Sequence, residues 1–481
     1  MSRTCRFLSI SSASITAAFL VPILWSIFEG DAGLLSFVAS LAVGASLSVL
    51  FAFLGIGGSL RGMTIREAIL SVGFSWMVTS AIVALPYLFS GATPGYLDAL
   101  FEGVSGFTTT GATVIPDLGA LPRSILFWRS FSQWLGGIGI VVLTLVFFPV
   151  SGAGMQLFKA EVSGPVHERL TPRIRETATF LWKTYVTLTV LQICLLMFGG
   201  GLDFFDASTL SFSTVATGGF SPYRDSVGHF ASGYVKWVTA LFLFLAASNL
   251  TFYHVLFVRR TIKPLRENPE FRFFVFLLFL FGLLSTAILF AKGYYADLRT
   301  SAMEGFFHTV SMLSTCGFFT SDYNLWPSSI RHLMLVLMFV GGCAISTAGG
   351  ITCIRVVIVL RHIREEFTRI LHPRAIIPAR FSGQAIDPSV VSSCFAFLIA
   401  YMGIFLLGFV ALALFGQDLT TAMSSAAATL GNVGPGFGMV GPMESYASQP
   451  AGIKIVYMLL MLCGRLEIFP LLVLFTREFR R

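Results

Sequence analysis

Apolar runs long enough to cross a bilayer recur along the whole chain, and they fix the fold class before any other feature. The stretch FVFLLFLFGLLSTAILF (274–290) carries no charge, and about 20 such residues span the hydrocarbon core. Backbone polar groups at that depth must be paired within the protein, so the spanning element is a helix. We expect ten spans, near 10–28, 34–54, 67–90, 122–150, 178–200, 233–258, 272–291, 329–360, 389–415 and 451–476. Composition agrees: 12% of residues are charged and 55% hydrophobic, where soluble domains are about a quarter charged. The chain reads as an all-α polytopic membrane protein.

The net charge of +8 is informative through its placement. With the N-terminus cytoplasmic, the inner segments are the start, 55–68, 151–177, 259–272, 355–381 and the tail. They hold 22 of the 32 Lys and Arg. The outer segments hold four: Arg224, Lys236, Lys292 and Arg299. By the positive-inside rule both termini are expected in the cytoplasm. No basic surface domain is present to bind nucleic acid. The opening MSRTCRFLSISSASITAAFLVPILW resembles a secretory signal, but its apolar run continues to Phe28, and we expect a retained first span. The seven cysteines lie mostly in apolar segments without a CxxC pair, so they read as small packing residues.

Four outer segments, 91–121, 201–232, 292–328 and 416–450, are too long and too apolar for simple loops. Each begins with a short amphipathic stretch: GYLDALFEGVSGF, GLDFFDASTLSFS, ADLRTSAMEGFFHTVS and GQDLTTAMSSAAA. Each then reaches a glycine-bearing motif: TTTGAT, TVATGGF, STCGFF and LGNVGPGF. Helices this short are re-entrant rather than spanning. Aligned on Gly111, Gly218, Gly317 and Gly434, the motifs stand 107, 99 and 117 residues apart. The implied unit is span, short helix, glycine turn, span. Each unit adds two spans, so all four share one orientation and can surround a pseudo-fourfold axis along the membrane normal. The units run 61–155, 156–262, 263–380 and 381–481, after two extra N-terminal spans in 1–60.

Irregular backbone at membrane depth is tolerated where it is buried in protein or lines a watery path. Glycine permits conformations that other residues resist, and carbonyl rings can replace a cation's hydration shell. Each short helix would aim its negative C-terminal end at the same point, with Asp98, Asp203, Asp206 and Asp418 near the opposite ends. Together these features read as four quarters of a pore lining.

On these motifs the chain resembles the Trk/Ktr/HKT superfamily of potassium-uptake channel subunits, in particular its TrkH branch, which has the two extra N-terminal spans. The resemblance covers essentially the whole chain. It implies potassium as the transported ion, no covalently bound cofactor, and ion-binding carbonyls in a selectivity filter at Thr109, Thr110 and Gly111; Ala216, Thr217 and Gly218; Thr315, Cys316 and Gly317; and Asn432, Val433 and Gly434. Glycine at 111, where some HKT relatives carry serine, is similar to the potassium-permeable pattern. The filter is not the TVGYG of tetrameric potassium channels, so some Na⁺ permeation is expected.

The run GGCAISTAGGITCIRVV (341–357) weakens its span with Gly341, Gly342, Gly349 and Gly350, among small polar residues that include Ser346 and Thr347. From pattern alone it fits close helix packing as well as a break; the resemblance implies an intramembrane gate loop at 341–352. Other second spans carry no such run. CGRLEIFP (463–470) puts Arg465 and Glu467 in the last span, where charge is costly and marks function by default. The resemblance implies that Arg465 projects into the pore below the filter, with Glu467 as a supporting partner. Arg129 reads as structural.

The inner loops leave no room for a nucleotide-binding domain, and neither a Walker A nor a GxGxxG motif is placed to form one. The resemblance implies a cytosolic ring of TrkA-type nucleotide-binding subunits, a homodimer, and location in the bacterial inner membrane. Segments 259–272 and 355–381 are docking candidates, or serve only as topology determinants near anionic lipid. The alternative transport reading is an H⁺- or Na⁺-coupled symporter, for which Glu102 and Glu304 are the tempting titratable groups. No HExxH, GxSxG or paired-aspartate cluster supports an enzyme.

Overall fold

The computed structural model describes residues 2–60, 63–137, 139, 174–258, 260–372, 380–381, 384–386 and 388–473. These are helical apart from loops and one antiparallel pair, β1 (Arg380–Phe381) with β2 (Gln384–Ala385). Among the described residues, six helical stretches are long and apolar enough to cross a membrane: Ser2–Glu29, Leu34–Leu54, Arg66–Phe89, Ala178–Phe198, Pro269–Ala291 and Pro388–Leu414. The expected inner segment 151–177 and residues 140–150 of the fourth span lie almost wholly outside the described residues.

The first span comprises α1 (Ser2–Ala18) and α2 (Leu20–Glu29), and α3 (Leu34–Leu54) returns beside it. Repeat 1 follows with α4 (Ile65–Val83), α5 (Leu85–Phe89), the short α6 (Tyr96–Phe107) and α7 (Arg123–Gly137). Repeat 2 has α8 (Ile174–Phe198), the short α9 (Phe204–Val215), α10 (Gly233–Ala247) and α11 (Thr251–Val258). Repeat 3 opens with α12 (Lys263–Glu267), followed by α13 (Pro269–Ala291), the short α14 (Leu298–Leu313), α15 (Ser328–Val340) and α16 (Cys353–Leu371). Repeat 4 has α17 (Pro388–Leu414), the short α18 (Leu419–Leu430), α19 (Ala451–Arg465) and α20 (Phe469–Val473).

The short helices start on acids, as their dipoles favour. Asp203, Asp297 and Asp418 are N-caps, accepting from the amides of Asp206, Thr300 and Thr421 at 2.7, 2.7 and 3.1 Å. Small and hydroxylated residues on these helices are nearly all buried, as in Ala422, Ser424, Ser425, Ala426 and Ala427 of α18. Long spans show the reverse: α17 exposes Ile399, Leu407 and Leu414 on one side, as a lipid-facing helix would.

The second span of each repeat departs from expectation. The spans expected at 233–258 and 451–476 are broken midway, as is 329–360, where the run 341–352 already points to a loop. α10 stops at Ala247, α15 at Val340 and α19 at Arg465. In repeat 1, α7 ends at Gly137, with Gly139 at φ +77°. A helix end leaves carbonyls without intrahelical partners, and at this depth they need protein donors. For α15 they come from its own loop, Ile351 N–H to Phe339 O at 3.0 Å and Thr352 N–H to Val340 O at 2.9 Å, and for α10 and α7 from other repeats. Cys343 N–H donates to Ala247 O at 2.8 Å, and the Arg465 guanidinium donates to Gly136 O and Gly137 O at 2.8 and 2.7 Å. α19 closes on itself: Glu467 and Ile468 have φ of +55° and +62°, and Ile468 N–H reaches back to Cys463 O at 3.0 Å.

The N-terminal pair is tied to repeat 1 through Asp31, in the turn between α2 and α3. Its carboxylate accepts from Ser124 N–H at 2.8 Å, Ser124 Oγ at 2.9 Å, Gly33 N–H at 3.0 Å, and the Ser26 hydroxyl. Partial burial works to raise this carboxyl, but the Ser26, Ser124 and Gly33 hydrogen bonds outweigh it and hold the group below its ordinary value. A depressed carboxylate contributes stability above its unfolded pKa of about 3.9, and that contribution is lost as pH falls through the folded value. Asp31→Asn should therefore lower the thermal midpoint at pH 7, and the gap to the parent should close as the scan is repeated below about pH 4. A gap that stays constant with pH would show that the charge is not what holds the turn.

Candidate functional site

The four short helices end in one shared geometry. At the C-terminus of α6, Thr109 N–H bonds Gly106 O and Thr110 N–H bonds Ser105 O. The same two bonds recur for Thr217 and Gly218, Thr315 and Cys316, and Asn432 and Val433, the second at 2.8–2.9 Å in every repeat. This is the Schellman closure, which needs one left-handed residue. Here the left-handed residues are Thr109, Thr217, Thr315 and Asn432, with φ of +54°, +52°, +56° and +55°. A β-branched residue in this region is a genuine outlier. The cost is of order 1–3 kcal/mol each, a strain that clusters at functional sites.

Two residues after each left-handed residue comes a glycine that is itself left-handed: Gly111, Gly219, Gly317 and Gly434, at φ +82°, +82°, +79° and +96°. The second repeat thus corrects the sequence alignment by one residue. Gly219 is the counterpart of Gly111, not Gly218, and Ala216 is the right-handed C-cap of α9, equivalent to Thr108. The triad in repeat 2 is Thr217, Gly218 and Gly219.

These four glycines form a closed ring. A Cβ on Gly111 would strike Gly218 O, one on Gly219 would strike Cys316 O, one on Gly317 would strike Val433 O, and one on Gly434 would strike Thr110 O. Each glycine therefore abuts the carbonyl that precedes the next repeat's glycine, and four contacts complete the circle. No side chain fits at any of these positions without moving a neighbour's backbone. A cavity of about 130 Å³ opens beside the ring, lined by Gly111, Gly219, Gly317, Pro435 and the loops that follow them.

Buried ionic groups brace the loops. Arg129 is 1% exposed; its Nε donates to Glu102 at 2.9 Å, its Nη1 to Ser221 O at 2.8 Å, and its guanidinium lies 4.1 Å from the centroid of the Phe220 ring. Glu102 also accepts from Thr113 Oγ1 and Val114 N–H, both at 3.0 Å. One ion pair thus fixes loops of two repeats. Glu304 does similar work in repeat 3, accepting from Thr320 Oγ1 at 2.6 Å and Ser321 Oγ at 2.8 Å, with Lys236 Nζ of repeat 2 at 3.9 Å. Tyr446, whose hydroxyl donates to Gly434 O at 2.8 Å, belongs to the same bracing and was not singled out in the sequence.

Residues 341–352 are irregular and pack against the left-handed tier. Gly341 and Gly350 have φ of +72° and +79°. Gly349 N–H donates to Thr315 Oγ1 at 2.7 Å, and a Cβ on Gly349 would approach Gly431 O and Asn432. Thr347 Oγ1 donates to Val215 O, the end of α9, at 3.0 Å. Ser346 Oγ turns back to Cys343 O at 2.5 Å, and Gly342 packs against Ala247 and Ala348. Arg465 Nη1 donates to Thr347 O at 2.9 Å while Nη2 holds Gly136 and Gly137, so Arg465 joins repeats 1 and 4 to the loop. Glu467 has a partner the sequence reading missed: it accepts a two-pronged pair from Arg355 at 3.1 Å. Arg355 also donates to Ile351 O at 3.1 Å and lies 3.8 Å from the Phe397 ring centroid.

A polytopic helical protein with four glycine loops meeting in a ring belongs to the class of membrane transport proteins. Residues 59–480 match the TrkH family, described as cation transport protein, and the chain belongs to that family. It is 38% identical over 419 residues to the Trk system potassium uptake protein TrkH of Escherichia coli K12, covering 86% of each chain. With TrkH of Halomonas elongata it shares 36% identity over 481 residues, covering 99% of this chain and 98% of that one. The crystal structure of the potassium transporter TrkH from Vibrio parahaemolyticus superposes with a TM-score of 0.89 at 34% identity, covering 100% of this chain and 99% of the other.

Removing one partner of a buried ion pair strands the other, at about 3–5 kcal/mol. Arg129→Met should accordingly lower the unfolding midpoint of detergent-solubilised protein sharply, and Arg129→Met/Glu102→Gln should recover much of the loss. Equal destabilisation by the single and double variants would show that the charge pairing is not the stabilising element.

Proposed function

We propose that this chain is the membrane subunit of a potassium uptake system of the bacterial cytoplasmic membrane, with both termini inside, and that the glycine ring is its cation-selective constriction. The observation that carries this reading is the closed circle of four glycine–carbonyl contacts. Backbone held in left-handed geometry, with no room for a side chain, can bring carbonyl oxygens close enough to stand in for a cation's water. The names of the relatives, all potassium uptake proteins, supply the ion. The residues of the constriction are Thr109–Gly111, Thr217–Gly219, Thr315–Gly317 and Asn432–Gly434. Passive K⁺ entry would draw on the membrane potential, about 2.3 kcal/mol per charge per 100 mV.

Residues 341–352 act in this reading as the gate. The loop lies against Thr315 and Asn432 and is latched by Arg465, whose charge opposes cation passage. A cytosolic ring of TrkA-type nucleotide-binding subunits would control it, acting on a homodimer, with α16 as the lever because it leads directly out of the loop. Glu102 and Glu304 brace loops here rather than couple protons.

Two measurements test these assignments. In proteoliposomes with K⁺ and Na⁺ on opposite sides, Gly434→Ser should shift the K⁺/Na⁺ permeability ratio by about tenfold, equivalent to ~1.4 kcal/mol. An unchanged ratio with normal flux would remove the ring from the selectivity step. Deleting 346–350 should raise Rb⁺ flux in the absence of any partner, several-fold over the parent at equal reconstitution. Unchanged or lower flux from well-folded protein would count against the gate.

A further inference from the structure

Gln133 of α7 is fully buried and reaches across from repeat 1 to the ring segment of repeat 2. Its Nε2 donates to Gly218 O at 2.5 Å, and its Oε1 accepts Phe220 N–H at 3.0 Å. One side-chain amide thus brackets Gly219 on both sides. Gly218 O is one of the four ring carbonyls, and it is the one for which a hydrogen-bond donor is found among the described residues.

The residue before the ring glycine is Thr110, Cys316 or Val433 in the other repeats and Gly218 here. The backbone does not demand glycine at 218, which lies outside the left-handed positions. What demands it is Gln133: a Cβ at 218 would land on the Gln133 amide group. Where three repeats supply their own side chain, the second admits one from its neighbour.

We infer that Gln133 is a positioning residue for ion selectivity, acting through the Gly218 carbonyl. A donated hydrogen bond occupies one lone pair, fixes the direction of the carbonyl and lowers its negative potential. Loss of the donor leaves that oxygen both more mobile and more negative. A looser ring can contract around a smaller ion, and a stronger field also favours the smaller ion, so the two accounts of carbonyl selectivity give the same sign. Sodium gains relative to potassium, by the worth of one neutral hydrogen bond, about 2- to 10-fold in permeability ratio.

The inference rests on the ring being the selective constriction, and the test separates the two. Reversal potentials are measured in proteoliposomes under opposed K⁺ and Na⁺ gradients for the parent, Gln133→Met, Gln133→Ala/Gly218→Val and Gly434→Ser. Met keeps the bulk without the donor. The double variant empties the Gln133 site and refills it with the side chain that repeat 4 carries, which guards against simple collapse of the site. A Na⁺/K⁺ ratio raised about 2- to 10-fold in both Gln133 variants is expected. Ratios at the parental value in both, with Gly434→Ser shifted, would overturn the role of Gln133 and leave the ring in place. A shift in Gln133→Met that the double variant abolishes would make the effect one of packing and also overturn it. No shift in any variant, Gly434→Ser included, would bring down the ring assignment itself.

Discussion

A backbone carbonyl or amide in the hydrocarbon layer must find a partner inside the protein, and every unusual feature of this molecule is arranged around that demand. Four short helices end at membrane depth, and the second span of each repeat stops midway. The short helices close their own ends through the Schellman bonds, which draw Thr109, Thr217, Thr315 and Asn432 into left-handed geometry. Two of the broken helices are closed by other repeats, α10 at Ala246 and Ala247 by the loop of repeat 3 and α7 at Gly136 and Gly137 by Arg465 of repeat 4, while α15 and α19 are closed within their own. The ring and the loop are therefore parts of one hydrogen-bonded unit. Strain at the left-handed tier persists because the surrounding bonds over-determine it.

Fourfold symmetry holds for backbone and fails for side chains, and the failures carry the specific chemistry. At the left-handed tier, Thr217 turns its hydroxyl to its neighbour Ala216 O at 2.7 Å. Thr315 receives the loop, and Asn432 spans two repeats by donating to Thr110 Oγ1 and Met461 O, each at 3.0 Å. At the next position Thr, Cys and Val alternate with a glycine filled by Gln133. A strictly symmetric ring would offer a loop no preferred place to dock. Here the second and third repeats present the polar groups that receive it, Val215 O and Thr315 Oγ1.

The sequence made the fold class legible because hydropathy and charge placement act over whole segments. The number of repeats was legible for the same reason: four short amphipathic stretches each precede a glycine at similar spacing. The register of the second repeat was not. TVATGGF offers two adjacent glycines, and the choice between them depends on φ, which local sequence does not reveal. Gly219 is a glycine for its conformation, Gly218 for the space Gln133 takes, and Gln133 is 85 residues away. The broken second spans were hidden for a related reason. Repeats 1 and 3 mark their breaks with paired glycines, Gly136–Gly137 and Gly341–Gly342, and repeats 2 and 4 do not. Ser248–Asn249–Leu250 and Leu466–Glu467–Ile468 are ordinary in composition, and the breaks exist because Ile345 O accepts Leu250 N–H at 3.1 Å and Arg355 pairs with Glu467.

Arg355 and Arg465 show how far such long-range pairing reaches. Both hold the loop by its carbonyls, Arg465 at Thr347 and Arg355 at Ile351. Each also grips a second element, Arg465 the end of α7 and Arg355 Glu467 and Phe397. A movement of α16 displaces Arg355 at once, because the arginine lies in that helix's first turn. The loop it anchors bears on Thr315 and Asn432, one residue from the ring carbonyls of Cys316 and Val433. In the gating role proposed above, a pull on α16 would move Arg355 and the loop together, and with them the contacts the loop makes beneath Thr315 and Asn432.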